Sequence, residues 1–189
     1  FSKVDFIYVA VGSREDNKNL SFIFATVGNQ VYAYEIAGID KDGYLDKKLS
    51  IRHLAHDGAE TVLCGQQYRG EPDEYPALIA MHTRGGEMQD LQAEPEEWAR
   101  FNHYVVSIAA TDEWILATSP PGSCYGIWSK STGKLVELSA LPDASGVVIY
   151  GDEFRVSSGA GKVVEQRPTE SKNTFASGVQ WDNHWSRII

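Results

Sequence analysis

The residues with the clearest potential for chemistry form a short cluster near the end of the chain, WDNHW at residues 181–185. It places a carboxylate, an amide and an imidazole side by side between two tryptophans. Asp182 and His184 carry oxygen and nitrogen atoms of the kind that bind metal ions, so both are candidate metal ligands. Asp182 and Asn183 are also typical turn residues. We favour this second interpretation, in which the cluster is a turn and a closing strand begins at Trp185.

A second set of polar residues is spread over the rest of the chain. His53 and His56 form an HxxH pair, but on a strand these two positions face opposite sides, so a shared metal is not expected. Arg52 and His53 are instead expected to face the centre of the fold, as a buried, hydrogen-bonded pair. Polar residues at other strand ends extend this pair into a candidate ligand-binding set around a central channel. Its members are Arg52, His53, Gln67, His103, Asn183 and His184.

An enzyme remains an alternative to simple binding. It would be a metal-assisted hydrolase or oxidoreductase with its site in the central channel. However, Ser119, Ser157 and Ser158 lack the GxSxG turn of a nucleophilic serine, and the glycines of residues 159–161 precede a strand instead of a helix. No catalytic residue and no cofactor are predicted, and a metal ion is left open. A protein that is not an enzyme is therefore favoured.

The elements that must position these residues are short strands. Apolar runs of four to eight residues alternate with Gly, Pro, Asn and Asp, which is the pattern of an all-β protein. Residues 103–140 contain four such runs in succession, which predicts one four-stranded antiparallel blade of a β-propeller. Residues 48–93 repeat this order, and residues 145–170 hold most of a further blade. Residues 177–189 begin one more with an inner strand, and residues 1–38 hold two or three strands.

The predicted fold class is therefore an all-β propeller of four-stranded antiparallel blades. The chain holds three to four blade equivalents, and we expect it to be part of a larger ring of about seven blades. Residues 1–189 form a single but incomplete propeller domain in this interpretation.

Two insertions lengthen the blade at residues 48–93. They are GEPDEYP at residues 70–76 and QAEPEEWAR at residues 92–100, and such insertions usually form loops at the ends of blades. Residues 94–101 are the one predicted helix, because a proline and two glutamates suit its first turn. The insertions are expected to present a partner surface made of Glu71, Asp73, Tyr75 and Trp98.

The composition excludes some partners. The net charge is −9, from 17 basic and 26 acidic residues, and an acidic surface repels nucleic acid. No apolar run is long enough to span a membrane. The two cysteines, Cys64 and Cys124, each lie beside a strand-like run, which favours two buried thiols. A disulfide between them stays open if the protein is exported.

Several segments resemble, in the same order, a bacterial family of unknown function whose members are often labelled twin-arginine translocation signal proteins. The segments are LSIRHLA, GQQYRG, YVVSIA, ATSPPG, GIWSKSTGKL, LPDASGV, VSSGAG and WDNH, and the resemblance covers residues 38–189. The family members are longer, single-domain β-propellers. Compared with them, the step near residues 37–48 is abrupt, so the resemblance implies that sequence is missing there. Their genes often lie beside those of imelysin-type iron-regulated proteins. The chain departs from the family at Ala144 and Ser145, where a cysteine is common.

The resemblance implies an exported, periplasmic protein whose export signal is not present in this chain. It implies a binding or scaffold protein connected with iron acquisition, with a protein or a small ligand as its partner. The family has no established activity, so no catalytic residue is carried over to this sequence.

Overall fold

The computed structural model describes residues 5–7, 22–27, 30–35, 48–83, 86–170, 172–182 and 185. These residues form four antiparallel sheets and a short helix. The first sheet has three strands, β1 (Asp5–Ile7), β2 (Phe22–Val27) and β3 (Gln30–Glu35). The first complete blade consists of β4 (Leu49–His56), β5 (Thr61–Tyr68), β6 (Ile79–Thr83) and β7 (Met88–Asp90).

Helix α1 (Pro95–Ala99) lies in the connection to the next blade. The second blade consists of β8 (Ser107–Ala110), β9 (Trp114–Ser119), β10 (Cys124–Ser129) and β11 (Leu135–Ala140). The third consists of β12 (Ala144–Tyr150), β13 (Glu153–Ser158), β14 (Lys162–Gln166) and β15 (Lys172–Ala176).

Each blade is a meander in which every strand pairs with the next one along the chain. The first strands of the blades lie side by side, because β8 contacts β4 on one side and β12 on the other. The last strand of the third blade, β15, is exposed along its whole length. The blades therefore radiate from their first strands, and the predicted all-β, propeller-type fold of four-stranded antiparallel blades is confirmed.

The core lies between the faces of neighbouring blades. On β9, Ile115 and Ala117 pack toward the first blade, whereas Leu116 between them packs toward the third. This alternation follows from the two-residue period of a strand. It explains why the buried runs of the sequence are apolar at consecutive positions: both faces of the second blade are covered.

Helix α1 begins where the sequence predicts it. Glu94 is the N-cap residue and forms a capping box with Glu97, whose carboxylate accepts the Glu94 backbone N–H at 2.8 Å. Pro95 occupies the first turn, where its missing N–H costs no hydrogen bond. The helix thus ends the first blade and starts the path to β8.

The predicted inner strand at the start of residues 177–189 is wrong for residues 177–182, which form no strand. Gly178 has a φ of +66°, a left-handed conformation that interrupts an extended chain. The Ser177 hydroxyl accepts the N–H of Val179 at 3.3 Å and the Nε1–H of Trp181 at 2.7 Å. These local hydrogen bonds replace those of a strand ladder.

Two further predictions fall on residues outside the described part of the chain. The missing sequence expected near residues 37–48 falls almost entirely on residues 36–47, which are not described. The closing strand from Trp185 falls on residues 186–189, of which the same is true. Both stay predictions.

Candidate ligand site on the loop face

The connections β5–β6, β7–β8, β9–β10, β11–β12 and β13–β14 meet at one end of the three blades, which we call the loop face. Neighbouring connections are linked there by hydrogen bonds, from Asn102 Nδ2 to the Pro121 carbonyl at 3.4 Å and from Leu141 N to the Ser123 carbonyl at 3.0 Å. Both insertions predicted from the sequence lie on this face, within the β5–β6 and β7–β8 connections. On the loop face, the first blade therefore carries additional residues that the other two described blades lack.

The first insertion contacts His103, which follows the second insertion in the chain. Its ring stacks on Tyr75 with centroids 5.3 Å apart and an interplanar angle of 11°, and it lies 5.4 Å from the tilted ring of Tyr68. His103 Nε2 is 2.9 Å from the Glu74 carbonyl oxygen, and the Tyr68 hydroxyl donates to the Glu74 carboxylate. We call Tyr68, Glu74, Tyr75 and His103 the His103 cluster. It fixes the first insertion against the segment that follows the second.

The backbone of the His103 cluster is unusual. Asn102 and His103 have φ values of +45° and +62°, and two consecutive left-handed residues that are not glycine are energetically unfavourable. The surrounding contacts must therefore hold them in place. The carboxylate of Glu74, by accepting the hydroxyl proton, raises the pKa of Tyr68 above its ordinary value of 10.0. Because these contacts hold the His103 cluster in one conformation, its surface is ordered before a partner binds.

His103 lies away from the central channel in which the sequence analysis places it. The His103 carbonyl accepts the N–H of Tyr68 at 2.9 Å, and the Gln66 carbonyl accepts the N–H of Val105 at 3.0 Å. Gln66 N also donates to Leu78 O at 2.9 Å, beside the start of β6. Residues 103–105 thus occupy the edge of β5 that faces β6, whereas the inner edge of β5 pairs with β4.

Arg52 and Gln67, in contrast, contact each other through their side chains. Arg52 lies on β4 at a β-bulge, where the register shifts between Ile51 and His53. Its Nη2 donates to Gln67 Oε1 at 2.9 Å. Arg69, which the sequence analysis did not select, donates to the same oxygen from Nε at 3.4 Å and Nη2 at 3.3 Å. We call Arg52 and Arg69 the arginine pair.

The remaining members of the predicted metal and channel sets do not form a metal centre among the described residues. Those residues contain no group of three His, Cys, Asp or Glu side chains placed to hold a metal ion. His56 Nδ1 accepts the N–H of Gly58 at 3.0 Å, which is a turn contact. His53 lies on β4 opposite Gly65, and Asp182 is exposed. Asn183 and His184 lie outside the described residues.

The serines considered as nucleophiles have structural roles. Ser119 Oγ donates to the Phe101 carbonyl at 2.6 Å and accepts the N–H of Gly122 at 3.1 Å. Ser158 at the equivalent position of the third blade donates to the Pro142 carbonyl and accepts the N–H of Ala160 at 3.1 Å. In the first blade the register places Gln66 there. Its buried side-chain amide has no hydrogen-bond partner among the described residues, so the first blade must secure its longer connection differently.

The predicted partner surface needs one correction. Glu71 and Asp73 are exposed, and Tyr75 is 39% exposed, so these three are accessible on the loop face. Trp98 is only 4% exposed and packs against Phe101 and Trp128 in the core between the first two blades. It is the one large apolar residue of the five-residue helix α1, and burying it is the way this short helix is attached.

Cys64 and Cys124 are buried and not bonded to each other, as favoured from the sequence. Burial raises the pKa of the Cys64 thiol to about 12 and that of the Cys124 thiol to about 11. We therefore expect neither thiol to react with a thiol reagent such as DTNB at pH 8 in the folded protein. Both should react after unfolding in urea. Rapid labelling of one thiol in the folded protein would contradict the buried placement of that residue.

Comparisons with known proteins place the chain in a family. The structure is similar to that of apo AztD from Citrobacter koseri, with a TM-score of 0.58 and 10% sequence identity. The similarity covers 87% of this chain and 45% of that chain, so this chain spans less than half the length of AztD. Among curated proteins none matches. In the described part of the chain no helix is long and apolar enough to cross a membrane.

Sequence similarity is more specific than this shared fold. Residues 34–188, which are more than half of the chain, match the family described as protein of unknown function DUF1513. The chain therefore belongs to the DUF1513 family.

Proposed function

We propose that this protein is a periplasmic binding or scaffold protein that holds a small ligand or a protein partner on the loop face of its first blade. The observation that carries the proposal is the ordered loop face at His103, whose ring is stacked by Tyr75 of the first insertion and whose left-handed backbone follows the second insertion in the chain. A surface that is already ordered loses little conformational entropy when a partner binds. Tyr75, exposed at its edge, is a residue type enriched in binding sites.

The cellular part of the proposal rests on the resemblance of motifs such as LSIRHLA and GQQYRG to exported propeller proteins. It comprises export by a twin-arginine signal, a periplasmic location and a connection with iron acquisition. The fold shared with AztD supports a propeller but, at 10% identity, supports no particular ligand. The partner is therefore to be found by experiment.

The test is binding by the immobilised protein from a periplasmic extract. Deleting residues 92–100 is unsuitable, because it would remove Trp98 from the core. The better variant replaces the exposed residues Glu71, Asp73 and Tyr75 by alanine together. We expect it to bind its partner about tenfold more weakly than the wild type, as is typical when an aromatic contact residue is removed.

The matched control replaces two exposed apolar residues elsewhere, Val136 on β11 and Phe175 on β15, by alanine. This variant should retain the partner. If the control loses the partner and the loop-face variant keeps it, the partner surface lies on the outer strands, and the proposed site is wrong.

The alternative, a metal-assisted hydrolase or oxidoreductase with its site in the channel, is tested by metal analysis. The metal content of protein purified without added metal or chelator is measured by mass spectrometry, for the wild type and for His184→Ala. The binding-protein proposal expects the same content in both. A metal that is present in the wild type and lost in the variant would favour the alternative.

A further inference from the structure

We infer that the arginine pair binds an oxyanion group, a carboxylate or a phosphate, of a small acidic ligand at the inner rim of the loop face. This inference deepens the proposed function and rests on it. It names the chemical class of the ligand and the residues that recognise it, Arg52 and Arg69, with Gln67 between them.

Arg52 and Arg69 have no carboxylate partner at salt-bridge distance among the described residues. The chain carries 26 acidic and 17 basic side chains, yet neither Arg52 nor Arg69 forms an ion pair within the described part of the chain. The two arginines of the third blade differ in this respect. Arg155 pairs with Glu153 and Glu165, and Arg167 pairs with Asp152 and Glu153. Among the described residues, two guanidinium groups that share a neutral amide oxygen and no carboxylate are therefore a local feature of the first blade.

The hydrogen bonds of the arginine pair are also incomplete. Gln67 Oε1 has two lone pairs but receives N–H groups from Arg52 Nη2, Arg69 Nε and Arg69 Nη2. It is neutral and cannot balance two positive charges. Arg52 Nε is buried and has no hydrogen-bond partner among the described residues. A buried guanidinium N–H without an acceptor is unfavourable, so Arg52 is incompletely satisfied. An incoming oxyanion would bind the accessible N–H groups of half-buried Arg52 and exposed Arg69.

Both arginines lie near the loop-face end of β4 and β5. Arg52 lies on β4, the first strand of its blade, at the bulge that leaves it out of the regular ladder. Arg69 follows β5 directly on the loop face, where its backbone N–H donates to the Lys48 carbonyl at 3.0 Å. Lys48 adds a further cation nearby, although it is paired with Glu71 at 3.3 Å. The arginine pair thus lies at the end of β4 and β5 that carries the first insertion, on the same loop face as the proposed partner surface.

The net charge of −9 restricts the kind of anion that fits. A polyanion such as nucleic acid would meet repulsion over the rest of the surface. A small molecule that carries one or two acidic groups would contact only the local positive region. A planar guanidinium fork suits carboxylate and phosphate equally, so the two sources must be separated by experiment.

The experiment is isothermal titration calorimetry of the purified chain at low ionic strength with two probes, succinate and inorganic phosphate. We expect at least one probe to bind at a single site, and the stronger one identifies the group as carboxylate or phosphate. Arg52→Gln and Arg69→Gln should each weaken binding by about ten- to a hundredfold, the usual effect of losing a charged hydrogen bond. Arg167→Gln, at an exposed and paired arginine, should leave binding unchanged.

Gln67→Glu is the most informative variant, because it keeps the shape and both arginines but places a carboxylate between them. A purely structural role for the arginine pair predicts an unchanged or higher melting temperature and no other effect. Our inference also predicts an unchanged or higher melting temperature for Gln67→Glu, but together with a loss of anion binding. Binding of the anion by Gln67→Glu with unchanged affinity would overturn the inference.

Three results separate this inference from the proposed function. If neither probe binds the wild type but the loop-face variant still loses its partner, the anion inference fails and the binding function stands. If the wild type, Arg52→Gln and Arg167→Gln all bind a probe equally, only diffuse charge attraction is present, and the inference also fails. If the anion binds as expected and the loop-face variant keeps its partner, the anion site stands while the proposed partner surface fails.

Discussion

Replacing Trp128 by alanine is expected to lower the free energy of unfolding by about 4 kcal/mol, within the usual range for removal of a buried aromatic ring. The indole is fully buried on β10. Its ring lies 5.5 Å from that of Trp98 and 5.7 Å from that of Phe101, measured between centroids. Its Nε1 donates to the Gln92 carbonyl at 3.1 Å. The substitution therefore creates a cavity and leaves the Gln92 carbonyl with only the N–H of Leu135 as a donor.

The size of this effect follows from how closely the ring is enclosed. A Cβ atom on Gly126, two residues earlier on β10, would lie 2.7 Å from the Trp128 ring, so the indole packs directly on the backbone of its own strand. The same ring supports helix α1 through Trp98. Its loss should loosen the β7–β8 connection as well as the blade, and the surrounding residues have little freedom to fill the space.

Urea unfolding monitored by circular dichroism measures this prediction. Phe175→Ala serves as the control, because Phe175 is 44% exposed on β15 and its loss should change stability by no more than about 0.5 kcal/mol. A Trp128→Ala variant within about 1 kcal/mol of the wild type would show that the cluster of three aromatic rings does not form as described.

The blades are predictable from sequence because each is a local meander. In residues 103–140 the apolar runs, the Thr111–Asp112 turn and the Ser-Thr-Gly turn define four strands, and β8–β11 occupy this range. Helix α1 is equally local, since Pro95 and the capping glutamates act within one turn. Trp98 is different: in a helix of five residues one tryptophan makes no periodic pattern, so nothing in the sequence indicates which side it faces.

The candidate site is less predictable because it depends on pairing between strands. Arg52 and Gln67 meet only because β4 carries a bulge, and a register shift of one residue leaves no mark in the pattern of residue types. The placement of His103 is not predictable for a similar reason. It is grouped with polar residues expected at strand ends, and its residue type gives no sign of its left-handed backbone. A signal for Arg69 was present in GQQYRG, where two polar residues close to the end of β5 are followed by an arginine.

The second large effect concerns an ion pair between blades. Lys130, on the turn after β10, pairs with Asp57, on the turn after β4, and their side chains are only 17% and 2% exposed. Asp57 Oδ1 also accepts the N–H of Ala59 at 2.8 Å and that of Thr61 at 3.2 Å. An asparagine side chain at this position could keep both turn contacts but would leave the Lys130 charge unpaired. Asp57→Asn is therefore expected to lower the free energy of unfolding at pH 7 by about 3 kcal/mol.

Two controls identify the unpaired charge as the cause. Adding Lys130→Met to Asp57→Asn should recover most of the lost stability, since an apolar side chain can replace a buried charge at little cost. Breaking the exposed pair of Lys48 and Glu71 by Lys48→Met should cost less than about 1 kcal/mol. If the double variant is as unstable as Asp57→Asn alone, the loss comes from the turn and not from Lys130.

The pH dependence of the Asp57→Asn difference tests the electrostatic argument directly. Burial alone would raise the pKa of the Asp57 carboxyl, but the hydrogen bonds from Lys130, Ala59 and Thr61 and the Lys130 charge together lower it below its ordinary value of 3.8. Asp57 therefore contributes its full stabilisation above pH 3.8, and the contribution is lost as the pH falls through its lower value in the folded protein. Urea unfolding of both proteins from pH 7 downward should give a constant difference until about pH 4 and a shrinking one below it. A difference that stays constant into the acid range would mean that Asp57 titrates with the same pKa in the folded and unfolded chains.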